Sequence, residues 1–173
     1  MNKISYAKTV YGEREIAAVV KCLRESTQMG HYSRRFEKKI AQLFDKKDCL
    51  YVNSGSSALL IGVEAFGFPP KSEIITPALT FGTAVSCIVK NNLIPVFVDV
   101  EPLSYCIDAN KIEEMITDKT VAILAPDLLG NLCDWRKIRS LADKYGLKVI
   151  QDSADTLGAT VNSVSSGSFS DMS

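Results

Sequence analysis

Apolar residues return at helical spacing in the first charged stretch of the chain. Ile16, Val19, Val20 and Leu23 fall on one face of residues 13–24, and Phe36, Ile40, Leu43 and Phe44 repeat the pattern. Two amphipathic helices are predicted, separated by STQMGHYSRR, where Gly30 and small polar residues mark a loop. After Lys47 the texture changes: short apolar runs at 49–52, 73–76, 95–98, 121–125 and 147–150 alternate with helix-like segments at 56–66, 81–90, 110–116 and 135–145. Runs of Val, Ile and Leu without strict alternation read as strands buried on both faces, as in a parallel sheet covered by helices. The expected fold class is therefore α/β, a three-layer α/β/α arrangement around a mainly parallel sheet. Residues 1–47 form a helical segment in this reading and 48–173 the sheet domain. The tail 162–173 is rich in Ser and Gly, reads as a loop, and leaves the domain looking incomplete at its C-terminal end.

Composition narrows the function. The 173 residues, 46% of them hydrophobic, suffice for one sizeable core. Lys and Arg number 20, balanced by 20 Asp and Glu, with no basic block interleaved with aromatics, so no electrostatic grip on nucleic acid is expected. The opening MNKISYAKTVYGEREI lacks the continuous apolar run of a signal peptide, and no stretch approaches the roughly 20 apolar residues that span a bilayer. A cytoplasmic protein without a membrane partner is expected. Cys22, Cys49, Cys87, Cys106 and Cys133 are widely spaced, with no C-x-x-C, and read as buried free thiols.

Three segments could carry chemistry, each where a strand run gives way to a helix or turn. In NSGSSALL, Gly55 permits a tight turn, and Ser56 and Ser57 bring hydroxyls and backbone N–H groups to a helix N-terminus, which suits a phosphate; the plainer role for Ser56 is a helix cap. In TPALTF, Phe81 would stand at the carboxyl edge of the sheet, where its ring could cover a planar ligand, although an aromatic at the start of a helix is more often core. In VIQDSADTLG, Asp152 directly follows a buried strand and Asp155 adds a second carboxylate. A carboxylate in a largely buried pocket calls for a cation such as a protonated pyridine nitrogen, unless it merely caps the next turn.

Taken in order, these segments resemble the DegT/DnrJ/StrS family of pyridoxal-phosphate (PLP) enzymes of nucleotide-sugar metabolism, a branch of the aspartate-aminotransferase fold. The resemblance runs from about Tyr11 to Ser173 through MGHYSRRFEKKIAQLF, VNSGSSAL, TPALTFGTAVSCI, PVFVDVEPLSYCID, LLGNLCDW and QDSADTLGA. It implies the front part of the large domain of such an enzyme. Gly55, Ser56 and the Ser57 backbone would hold the phosphate of PLP or its amine form PMP, Phe81 would stack on the ring, and Asp152 would pair with the ring nitrogen and keep the ring an electron sink. It further implies a homodimer, an amino donor such as glutamate and a nucleotide-linked keto-sugar substrate in lipopolysaccharide or deoxysugar synthesis. Family aminotransferases carry Gln or His where this chain has Asp155, whereas the 3-dehydratase branch carries Asp there, and LLGN with Asn131 also resembles that branch. Amino transfer to a keto-sugar is therefore the first expectation, with 3-dehydration as its close alternative. The lysine that bonds the cofactor, or the histidine that replaces it in dehydratases, is expected beyond Ser173.

Other classes lack their parts. His31 is the single histidine, no G-x-S-x-G turn occurs, and no His/Cys cluster has metal-ligand spacing. A truncated, inactive remnant that binds partners through apolar surface is the non-enzymatic alternative.

Overall fold

A computed structural model describes residues 8–173. The part of the 1–47 segment that falls on residues 1–7 lies outside the described residues.

The two amphipathic helices form as α1 (Glu13–Glu25) and α2 (His31–Leu43). No residue of α1 is buried, so Ile16, Val19, Val20 and Leu23 make a face that nothing described here covers. Beyond them the chain builds α3 (Gly55–Ala65), β1 (Glu73–Pro77), α4 (Gly82–Lys90), β2 (Ile94–Val98), β3 (Thr120–Pro126), α5 (Trp135–Tyr145) and β4 (Lys148–Asp152). The four long strands pair in parallel in the order β2-β1-β3-β4, the α/β arrangement expected.

Alternation along these strands divides the core into two layers. Ile74, Ala122, Leu124 and Ile150 pack with Leu59 and Val63 of α3 and Ala84, Cys87 and Ile88 of α4. Ile75, Ile123, Ala125 and Val149 pack with Trp135, Ile138 and Ala142 of α5. The same alternation reaches the carboxyl edge, so Thr76 and Asp152 belong to the α3/α4 face and Gln151 to the α5 face.

Three expectations need correction. Residues 49–52 are not a strand: they run outside any ladder, with Leu50 82% exposed, and the Tyr51 N–H donates to Glu37 Oε1 at 2.9 Å. An apolar run becomes a strand only where a neighbour supplies the other half of its hydrogen bonds. Residues 110–116 give only a 3₁₀ turn at Glu113–Met115; the stretch is too short to sustain a helix alone, and fully buried Ile112 with half-buried Ile116 anchors it to the core. The tail is no loose loop. Thr160–Val161 (β5) and Val164–Ser165 (β6) form a small antiparallel hairpin, a 3₁₀ turn covers Ser166–Phe169, and Met172 bridges in parallel to Ile150 at the edge of β4.

Composition could not reveal what orders that tail, because its partners lie far away in sequence. Lys46 Nζ donates to the carbonyls of Gly167 and Ser170, and Ser168 Oγ donates to Asp45. Gly167 sits so close to the end of α2 that a Cβ there would lie 2.2 Å from the Phe44 carbonyl oxygen.

Candidate functional site

The carboxyl edge of a parallel sheet is where strand ends and helix N-termini leave polar groups unpaired, and the expected residues gather there. Asn53 and Ser54 leave the extended approach to α3 and the chain turns at Gly55. Ser54, not Ser56, caps the helix: its Oγ accepts the Ser57 N–H at 3.1 Å. Sequence order alone could not choose between neighbouring serines, but the choice matters. The Ser57 N–H is used by the cap, whereas among the described residues the Gly55 and Ser56 N–H groups have no acceptor at the positive end of an 11-residue helix.

Phe81 is the N-cap residue of α4 and is 71% exposed, so its ring is not core and stands free at the sheet edge. Between the first half of α3 and the length of α4 lies an open cavity of about 220 Å³, lined by Ser56, Ser57, Thr83, Ser86 and Lys90 among others. Cys87 also lines it; burial pushes its thiol up to about 11, and the charge of Asp152 adds to the rise.

Asp152 is the last residue of β4 and is half-buried. Burial raises its carboxyl above the usual carboxylate range, the Ala154 N–H pulls it back, and the charge of Asp155 raises it further. Its one side-chain hydrogen bond is from the Ala154 N–H at 3.2 Å, and among the described residues it has no ion pair. On the same face, fully buried Thr76, one residue before the end of β1, has an Oγ1 that finds no partner among the described residues. A half-buried acid without a cation and a buried hydroxyl without a partner are costly unless a ligand completes them. Thr76 was not singled out from the sequence, since a lone Thr in a strand carries no signal until burial strands its hydroxyl.

Asp155 is exposed, and its Oδ2 accepts the Leu129 N–H at 2.9 Å, holding Leu129 in the left-handed region at φ 56°. His31 begins α2, exposed, with its ring 4.0 Å from that of Tyr32. All five cysteines are free; Cys22 and Cys49 are only partly buried. No group of His, Cys, Asp and Glu among the described residues could hold a metal ion. No helix among them is long and apolar enough to cross a membrane.

The residues present fit PLP or PMP: a helix N-terminus with free N–H groups for the phosphate, an exposed aromatic for the ring, and an acid lacking a cation for the ring nitrogen. Comparison with known proteins gives the same direction. The model of the DegT/DnrJ/EryC1/StrS aminotransferase family matches residues 10–173. The chain is 37% identical to the lipopolysaccharide biosynthesis protein RfbH of Salmonella typhimurium over 94% of this chain and 39% of RfbH. It is 37% identical to the 3-oxo-glucose-6-phosphate:glutamate aminotransferase of Bacillus subtilis over 76% of this chain and 30% of that protein. A GDP-4-keto-6-deoxymannose-3-dehydratase, solved with a trapped PLP-glutamate geminal diamine, superposes with a TM-score of 0.87 at 28% identity over 94% of this chain and 44% of that one. The chain thus spans less than half the length of each of these proteins.

Proposed function

We propose, since this chain belongs to the DegT/DnrJ/EryC1/StrS aminotransferase family, that the intact protein is a PLP-dependent enzyme transferring an amino group from a donor such as glutamate to a nucleotide-linked keto-sugar. The observation that carries the reading is Asp152, an acid half-buried at a strand end with no cation paired to it among the described residues. The free N–H groups of Gly55 and Ser56, with the Ser57 hydroxyl beside them, hold the phosphate against the α3 dipole. Phe81 covers one ring face and excludes water from it. Asp152 holds a proton on the ring nitrogen, and Asp155 is assigned to the ring's hydroxyl side. Bound there, PLP or PMP supplies the electron-accepting ring and the exchangeable amino group.

A second reading, 3-dehydration of the keto-sugar, is favoured by Asp155 and Asn131, which resemble that branch of the family, and by the likeness to the dehydratase structure. A homodimer in the cytoplasm completes the proposal; the uncovered α1 row of Ile16, Val19, Val20 and Leu23 fits a surface that the intact assembly covers.

Absorbance titration of the intact protein with PLP tests the shared part: saturable binding with a shifted cofactor band is expected, and its absence sinks the proposal. Mass spectrometry of a nucleotide keto-sugar incubated with the loaded enzyme and glutamate then separates the readings, a keto oxygen exchanged for an amine against one hydroxyl oxygen lost with the ketone kept.

A further inference from the structure

Behind Asp152, on the α5 face of the sheet, lies a second acid that the reading above leaves without a task. Asp127 follows β3 and is 2% exposed. Its Oδ1 accepts the Cys133 N–H and the Trp135 Nε1–H, each at 2.9 Å, and its Oδ2 accepts Gln151 Nε2 at 2.7 Å and Thr156 Oγ1 at 3.2 Å. The first two partners can only donate, so the side chain acts as acceptor on every bond, the behaviour of an ionised carboxylate. Burial opposes that ionisation and the donors favour it.

The partners have a pattern. Gln151 precedes Asp152, Thr156 follows Asp155, and the Asp127 N–H donates to the Asp152 carbonyl at 2.9 Å. One residue therefore grips the 151–156 segment at both ends and at Asp152 itself, while its Oδ1 is moored to the start of α5. The next turn adds a further tie, Leu129 N–H to Asp155.

We propose that Asp127 is a positioning residue that fixes the Asp152 carboxylate at the cofactor-ring nitrogen through the 151–156 segment; the proposal rests on the PLP reading above. With the acceptor lost, Gln151 and Thr156 release the segment and Asp152 loses its aim.

The test is a cycle of variants of the intact protein, read by absorbance titration with PLP and by melting of the cofactor-free protein. Asp127→Asn puts a donor where Oδ2 accepts, and weakens PLP binding about tenfold, in line with a buried hydrogen bond replaced by a donor clash. Adding Gln151→Glu restores an acceptor opposite the new amide and recovers affinity to within about threefold, the residue of an imperfectly repacked bond. In an Asp152→Asn background Asp127→Asn changes affinity by less than about twofold, because coupled residues do not add. Wild-type affinity in Asp127→Asn, or an equal loss with and without Asp152, overturns the proposal. If Asp127→Asn does not fold, the folded double swap decides: near-wild-type affinity supports the role, a tenfold loss overturns it. A wild-type protein that binds no PLP overturns the cofactor reading itself, a result the variants cannot mimic.

Discussion

The two faces of the sheet reach its carboxyl edge in different states. On the α5 face the polar groups are matched to one another: Asp127 binds Cys133, Trp135, Gln151 and Thr156, and Gln151 passes the network on to Ser166 and Ser173. On the α3/α4 face they are left over: among the described residues Thr76 Oγ1 is unpartnered, Asp152 lacks a cation and the Gly55 and Ser56 N–H groups of α3 are free. Buried polar groups that satisfy each other stabilise and orient; those that do not await a ligand. The contrast separates framework from site within one layer of residues.

The contrast breaks if both faces respond alike to substitution. The largest effect is expected at Trp135→Ala on the matched face, which empties a fully buried site and strips Asp127 of a donor; a loss of about 3–5 kcal/mol in denaturant unfolding of the cofactor-free protein is expected. Asp152→Asn on the open face should do the opposite. It removes an unpaired half-buried charge, so the cofactor-free protein should unfold at the same or slightly higher denaturant, while PLP binding weakens by about 1.5–3 kcal/mol, the worth of a hydrogen bond to a charged group. Ser54→Ala removes the α3 cap and should cost about 1 kcal/mol in unfolding. Phe81→Ala, at an exposed ring, should leave unfolding within about 0.5 kcal/mol and weaken PLP binding by about 0.5–1.5 kcal/mol.

A pH series sharpens the same comparison. The carboxyl of Asp152 is raised by burial, and a cationic ring nitrogen favours its ionised form. PLP affinity should therefore be full above that raised value and fall as pH drops through it, the decline beginning above the usual carboxylate range and continuing down to the lower value that the ring cation imposes in the complex. Asp152→Asn should flatten this limb in an absorbance titration; an unchanged limb would assign it to another group.

Much of this was legible along the chain. The helical spacing of Ile16, Val19, Val20 and Leu23 marked α1, and the runs EIIT, PVFV, VAILA and LKVI marked β1 to β4; β1 and β3 are buried on both faces and need no alternation, whereas β2 lies at the sheet edge with only Val98 buried. CLYV looked the same and is no strand, since hydropathy reports burial and not whether a neighbouring ladder exists. The Ser-rich tail failed the opposite way: its order comes from Lys46 and the close approach of Gly167 to Phe44, more than a hundred residues away. Of the proposed site, Gly55, Ser56, Ser57, Phe81, Asp152 and Asp155 were singled out along the chain because turn chemistry and strand ends are local signals.

What the sequence determined by itself was the kind of fold and the order of its chemical groups, because hydrophobic periodicity and turn residues act over a few positions. Only the tertiary structure decided which of those groups remain unsatisfied. Asp127 and Asp152 are both acids at the ends of buried strands. One is saturated by four donors and the other is not, and that difference arises from residues brought together across the sheet.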